Sequence, residues 1–108
     1  MWIFLSDSYL SIVDKGDPSG ASLLVRARKK GDIEAIFPSA EVIEGGGTDY
    51  RYRARIEREE VAAAIAEQVR GIQYTNFKGA VKERERHDAY METWQAMMRF
   101  QEGGRHKR

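Results

Sequence analysis

The sequence contains no cysteine and only two prolines among its 108 residues. Without a thiol, a disulfide framework, thiolate catalysis and cysteine-ligated zinc are excluded. The composition fits a reducing compartment, so we expect a cytoplasmic protein. No apolar run approaches the roughly 20 residues of a membrane-spanning helix, and the first residues lack the basic start of a signal peptide. The length predicts one domain with a single core and no contact with a membrane.

Charge is nearly balanced in total but is unevenly distributed along the chain. Eighteen basic and 17 acidic residues give a net charge of +1. Basic residues cluster at positions 26–30 and return from Arg51 onward, whereas the segment 31–50 has none. Such blocks indicate internal complementarity or recognition through separate patches, rather than general binding of polyanions. The acidic residues of the segment 31–50 are Asp32, Glu34, Glu41, Glu44 and Asp49.

Alternating apolar and polar residues predict four strands in two hairpins. Residues 1–13 are expected to be extended, with an interruption at residues 6–8 by a bulge or a short turn. A loop at 14–20 is rich in turn-forming residues and connects this segment to a strand at 22–28. A brief strand at 40–43, a flexible glycine turn and a strand at 49–57 complete the second hairpin.

Helical spacing predicts the remaining elements. Asp32 is placed to cap a short helix that ends near Phe37, and residues 59–70 and 83–101 carry apolar residues at helical spacing. Thr75 or Asn76 is expected to cap a short turn between the two longer helices. The order β-β-α-β-β-α-α predicts an α+β fold, a two-layer sandwich of a four-stranded antiparallel sheet with helices on one face. We expect one domain over residues 1–102 and a flexible basic tail at 103–108.

The segment 50–56, YRYRARI, is the most informative stretch of the chain. Because side chains of a strand alternate between faces, the arginines fall on one face and Tyr50 and Tyr52 on the other. If the tyrosine face meets the helices, the arginines share the opposite face with those of the preceding hairpin. This predicts an arginine face made of Arg26, Arg28, Arg51, Arg53 and Arg55.

Three interpretations of the arginine face remain open. It is a solvated face paired across strands with Glu41, Glu44 or Glu57, a contact surface for nucleic acid, or a contact surface for an acidic protein. Tyrosines on the opposite face weaken the case for a base-stacking platform. The acidic segment 31–50 offers a further possibility, since clustered carboxylates can imitate a phosphate backbone and occupy a basic groove.

Two further groups of residues are candidates for a site. His87 and Tyr90 are neighbours on a helix and could serve general acid–base cleavage of RNA, although a surface histidine is the simpler interpretation. No second histidine is well placed for a metal site, and no motif for a cofactor is present. The stripe of Trp94, Met97 and Met98 either packs as core or forms a surface for a partner or a homodimer.

Several strings of the sequence together resemble a family of small bacterial proteins found on chromosomes and mobile elements. They are FLSDSYLSIV at 4–13, LLVRAR at 23–28, GDIE at 31–34, DYRYRA at 49–54, NFK at 76–78 and RHDAYM at 86–91. The resemblance covers nearly the whole chain and brings no established activity. Small proteins of mobile elements are often inhibitors of host defence, including anti-CRISPR proteins, or toxins and antitoxins.

The leading hypothesis from the sequence is a non-enzymatic interaction protein. It would bind a protein or nucleoprotein partner through its charged patches and inhibit a complex that handles nucleic acid. Direct binding of nucleic acid through the arginine face is the first alternative. A small ribonuclease-like toxin that uses His87 and Tyr90 is the second.

Overall fold

The computed structural model describes residues 1–45 and 49–103. The chain divides into two compact units, Met1–Gln73 and Tyr74–Arg108. The predicted glycine turn at 44–49 is described only at its ends, and the predicted tail is described only at residue 103, so the flexibility of both lies outside the described residues. One domain over residues 1–102 stays a prediction.

The first unit is a five-stranded antiparallel sheet with two helices. The strands are β1 (Trp2–Leu5), β2 (Ser8–Val13), β3 (Ser22–Ala27), β4 (Ile43–Glu44) and β5 (Tyr52–Glu57), and the helices are α1 (Asp32–Ile36) and α2 (Arg58–Arg70). The strands lie side by side in the order β1-β2-β3-β5-β4, and every neighbouring pair is antiparallel. The predicted α+β class with an antiparallel sheet is therefore confirmed.

The prediction of four strands, and with it the predicted element order, is wrong because the interruption near Ser6 reverses the chain. A turn at Ser6 and Asp7, two residue types that favour turns, brings β1 back along β2. Phe4 then lies opposite Tyr9. The amide of Ile12 donates a hydrogen bond of 2.8 Å to the carbonyl of Met1 at the other end of this hairpin. One predicted extended segment thus supplies two strands.

The inner face of the sheet carries the core. Residues that pair directly across strands share a face, and the pairs Leu23–Ile56 and Val25–Ala54 place the apolar residues of β3 and β5 together, as predicted. Both helices of the first unit contribute to the same buried cluster. Its members are Leu10, Ile12, Val25, Ala27, Ile33, Phe37, Ala54, Ile56 and Val61.

The start of α1 differs from the prediction. The N-cap residue is Gly31, whose positive φ of 94° suits a residue without Cβ. Asp32 is buried instead, and its carboxylate accepts a hydrogen bond of 3.0 Å from the amide of Tyr9. The predicted cap therefore holds α1 against β2 rather than closing the end of the helix.

The second unit contains α3 (Phe77–Ala80) and α4 (Arg84–Gln101). Asn76 caps α3 by accepting hydrogen bonds from the amides of Lys78 and Gly79, which confirms one of the two predicted caps. The ring of Phe77 stacks on Tyr90 with centroids 5.8 Å apart. None of the helices in the described part of the chain has the length and apolar character needed to cross a membrane.

Truncation of a core side chain tests this layering. We expect Leu10→Ala, which empties a fully buried position, to lower the free energy of unfolding by about 2–5 kcal/mol. Ile43→Ala removes an exposed side chain of β4 and should change it by less than about 0.5 kcal/mol. Urea denaturation followed by circular dichroism measures both, and equal losses would contradict the placement of Leu10 in the core.

Candidate functional site on the outer sheet face

The outer face of the sheet, opposite the core, carries one row of side chains in register across all five strands. Trp2 pairs with Ser11, Ser11 with Arg26, Arg26 with Arg53, and Arg53 with Ile43. With strands about 4.8 Å apart, the row spans about 19 Å. Two arginines thus lie at the centre of a surface that begins with a tryptophan.

Aromatic residues occupy the β1–β2 side of this face. Phe4 and Tyr9 lie opposite each other with ring centroids 4.6 Å apart and an angle of 31° between the rings. Trp2 is 69% exposed at the edge of the sheet. This cluster was not predicted from the sequence, because residues 1–13 were expected to form one interrupted extended segment. The signal that reveals the cluster is the turn at Ser6 and Asp7.

Tyr50 also belongs to the outer face, contrary to the prediction. The chain bends at Asp49 and Arg51, and β5 begins only at Tyr52, so strand alternation does not extend to residue 50. The Tyr50 ring centroid lies 4.6 Å from the guanidinium carbon of Arg26 and 4.1 Å from that of Arg28. Only 4% of Tyr50 is exposed. Tyr50 therefore lies on the same face as the arginines.

The surroundings of Tyr50 favour its ionised form. Burial raises the pKa of the Tyr50 hydroxyl, but its hydrogen bonds with Ser11 and Tyr9 and the positive charges of Arg28 and Arg26 lower it. The lowering effects prevail, so the pKa of Tyr50 lies below its ordinary value. This is the electrostatic signature expected of a phenol held within a cluster of cations.

Three arginines project from the strands of the outer face and bond to neutral oxygens. Arg26 donates to Oγ of Ser11 at 2.9 Å, and Arg53 to the carbonyl of Tyr50 at 3.2 Å. Arg55 donates to the carbonyl of Lys15 at 2.9 Å. Within residues 1–45 and 49–103, none of the three forms an ion pair, so the pairing with Glu41, Glu44 or Glu57 does not occur there. No carboxylate of the described residues therefore neutralises the positive charge of these three arginines.

The other two arginines of the predicted face lie beside it. Arg28 follows β3 and forms an ion pair of 3.1 Å with Asp49, whose hydrogen bond raises the pKa of Arg28. Arg51 precedes β5 and is exposed. Both line a concavity of about 490 Å³ at the end of the sheet. Among the described residues, its lining is Arg28, Lys29, Lys30, Asp49, Arg51 and Tyr52.

Two carboxylates of the acidic segment 31–50 interact with other groups of the chain. Asp32 is buried against β2, and Asp49 is paired with Arg28. Two of the five carboxylates thus meet groups of the same chain. This reduces the charge that the segment presents as an imitation of a phosphate backbone.

The second unit contains the other predicted candidates, His87 with Tyr90 and the stripe on α4. His87 contacts the neighbouring carboxylate of Asp88 at 3.4 Å, and the hydroxyl of Tyr90 accepts from Arg86 at 3.4 Å. Trp94, Met97 and Met98 are exposed on α4 rather than packed as core. The described residues contain no group of three or more histidine, aspartate or glutamate residues that could hold a metal ion.

Comparison with protein-family models, with curated proteins and with solved structures finds no match in any of the three. The resemblance to small mobile-element proteins stays a prediction. The outer face and the adjoining concavity are the features on which a function can be argued.

Titration tests the environment of Tyr50. We expect ultraviolet absorbance of the phenolate to show one tyrosine that ionises below the ordinary pH range, and Tyr50→Phe to remove that step. Arg28→Gln removes one cation beside the ring and should move the step to higher pH, because the remaining positive charge stabilises the phenolate less. An unchanged titration curve in Tyr50→Phe would contradict the assignment.

Asp17 organises the loop that receives Arg55. Its carboxylate accepts hydrogen bonds from the hydroxyls of Ser22 at 2.6 Å and Ser19 at 2.7 Å and from both their amides, and these bonds hold the pKa of Asp17 well below its ordinary value. Ser22 in turn accepts from Arg55 at 3.3 Å. Asp17 therefore helps to position Arg55 through Ser22, beside the direct bond of Arg55 to the Lys15 carbonyl.

We expect Asp17→Asn to lower the melting temperature at neutral pH. A lowered pKa in the folded state gives stability that is present above the unfolded-state pKa of about 3.9 and is lost as pH falls through the folded-state value. The difference between wild type and variant should therefore be constant from pH 7 to about pH 5 and shrink in stronger acid. Thermal melts across this range measure it, and a difference that persists unchanged at pH 2 would refute the role of the carboxylate.

Proposed function

We propose that this protein binds single-stranded nucleic acid on the outer face of its sheet. One observation carries the proposal: Trp2, Ser11, Arg26 and Arg53 lie in one row across four adjacent strands. An exposed aromatic ring stands at one edge of the sheet, and two guanidinium groups that have no carboxylate partner among the described residues lie two and three strands away. Bases would stack on the aromatic side, and phosphates would contact the arginines.

The charge of the face supports contact with phosphates. Arg26, Arg53 and Arg55 are held in place by neutral oxygens, so positioning them does not cancel their charge. A guanidinium group is planar and can donate two parallel hydrogen bonds to a phosphate. The arrangement concentrates positive charge on one surface of a chain whose net charge is only +1.

The aromatic cluster supports contact with bases. The Trp2 side chain is largely exposed, and Phe4 and Tyr9 lie next to it on the same face. Base stacking on such rings needs no particular sequence, because every base has a π-face. Sheets that bind RNA combine stacked bases with basic contacts to the backbone.

A single strand fits this surface better than a duplex does. Bases of a duplex are stacked on each other and are reached only through the grooves. A sheet that offers rings on its face requires unstacked bases. We therefore expect weaker binding to a double-stranded oligonucleotide of the same sequence.

The outer face gives less support to the leading hypothesis from the sequence, a protein or nucleoprotein partner bound through charged patches. An acidic protein partner would use the arginines but leave the aromatic cluster without a role. The acidic segment would need free carboxylates at the surface, but Asp32 is buried and Asp49 is paired with Arg28. Inhibition of a complex that handles nucleic acid remains compatible with single-strand binding, since the protein would act on the strand itself.

Fluorescence anisotropy with a labelled single-stranded oligonucleotide tests the proposal. Contacts from three arginines to phosphates predict a slope of about −2 in a plot of log K against log salt concentration. Arg55→Gln should weaken binding and make this slope less steep by about 0.7. Trp2→Ala should weaken binding by about 1–3 kcal/mol and leave the slope unchanged, because stacking releases no counterions.

Matched control variants are available on α4. Trp94→Ala and Arg99→Gln alter the same residue types at exposed positions of the second unit and should leave affinity unchanged. Melting temperatures of all four variants show whether each protein is folded. No detectable binding by the folded wild type, or equal losses in the outer-face and control variants, would overturn the proposal.

A further inference from the structure

The proposed function uses the outer face and does not involve the concavity beside it. This concavity is formed where the turn after β3 meets the residues that precede β5. Its volume of about 490 Å³ lies within the range of sites for small ligands, roughly 300–1,000 Å³. It is therefore large enough to hold a group of the size of a nucleotide.

The lining of the concavity is strongly basic. Of the six described residues that line it, four are arginine or lysine, and the one carboxylate, Asp49, is paired with Arg28 at 3.1 Å. Among the described residues, Lys30 and Arg51 have no ion pair of their own. The site thus presents more positive charge than one phosphodiester group, with a single negative charge, can balance.

One further feature links the concavity to the outer face. Arg28 lines the concavity and also lies 4.1 Å from the Tyr50 ring of the outer face. The concavity and the outer face are therefore continuous through one guanidinium group.

We propose that this concavity binds the terminal nucleotide of the strand through its phosphomonoester. A phosphomonoester carries a charge of about −1.5 to −2 at neutral pH, close to twice that of a phosphodiester. The inference rests on the proposed function, because the outer face holds the body of the strand. A phosphate at the 5′ end and one at the 3′ end have the same chemistry, and the experiment distinguishes them.

Three single-stranded decanucleotides of one sequence provide the test. They carry an internal label and either a 5′-phosphate, a 3′-phosphate or hydroxyls at both ends. We expect one phosphorylated form to bind about tenfold more tightly than the hydroxyl form, since charge-assisted hydrogen bonds strengthen binding by about that factor. The form that gains affinity identifies the end that enters the concavity.

Substitutions place the effect in the concavity. Lys30→Gln and Arg51→Gln alter exposed residues of its lining, and the double variant should lose the tenfold preference while its affinity for the hydroxyl form falls by less than about threefold. Trp2→Ala should weaken all three forms by the same factor. Arg99→Gln, on α4, is the control and should keep the preference.

The possible failures are distinguishable. If no oligonucleotide binds, the proposed function fails and this inference fails with it. If the three forms bind equally, the outer face remains a binding surface and the inference about the concavity is wrong. A preference that persists in the folded double variant would also overturn it, since the phosphate would then lie elsewhere.

Discussion

The register between β3 and β5 places Arg26 directly opposite Arg53, and the properties of the outer face follow from this pairing. The same register aligns Val25 with Ala54 on the inner face, so the core and the arginine pair come from one alignment of strands. A shift by one residue would turn the arginines toward the core and the apolar residues toward solvent. Burial of the inner face therefore forces two like charges together on the other side.

Like charges directly opposite each other destabilise a sheet, and the surrounding residues compensate in part. The ring of Tyr50 lies within 4.6 Å of Arg26, where its negative π-face attracts the cation. Ser11 and the Tyr50 carbonyl accept hydrogen bonds from Arg26 and Arg53. The bend before β5 makes this possible, because regular strand geometry would have sent Tyr50 to the inner face.

The sequence predicted the parts of the fold that depend on periodicity. The inward direction of Val25, Ala54 and Ile56 and the long helices follow from spacing alone. The number of strands and the position of Tyr50 do not, because each depends on a local break in periodicity. The chain changes direction at the turn that contains Asp7 and at the bend that contains Asp49. Neither change is visible in the alternation of apolar and polar residues.

The same breaks determine how much of the candidate site could be predicted. Arg26, Arg53 and Arg55 are found on one face by alternation within regular strands. The aromatic cluster of Trp2, Phe4 and Tyr9 requires knowledge of the first hairpin, which a single extended segment conceals. The sequence therefore predicts the charge of the surface but not its aromatic part, which is the part that would separate base recognition from general attraction of anions.

The compensation of the arginine pair is incomplete, and this bears on why the pair exists. The Nε atoms of Arg26 and Arg53 are buried and find no acceptor among the described residues. Burial of an unsatisfied charged donor costs free energy that a solvated face of threonine or lysine would not require. A sheet that needed only solubility would be more stable without these two arginines. Positions that oppose stability in this way are typical of binding surfaces.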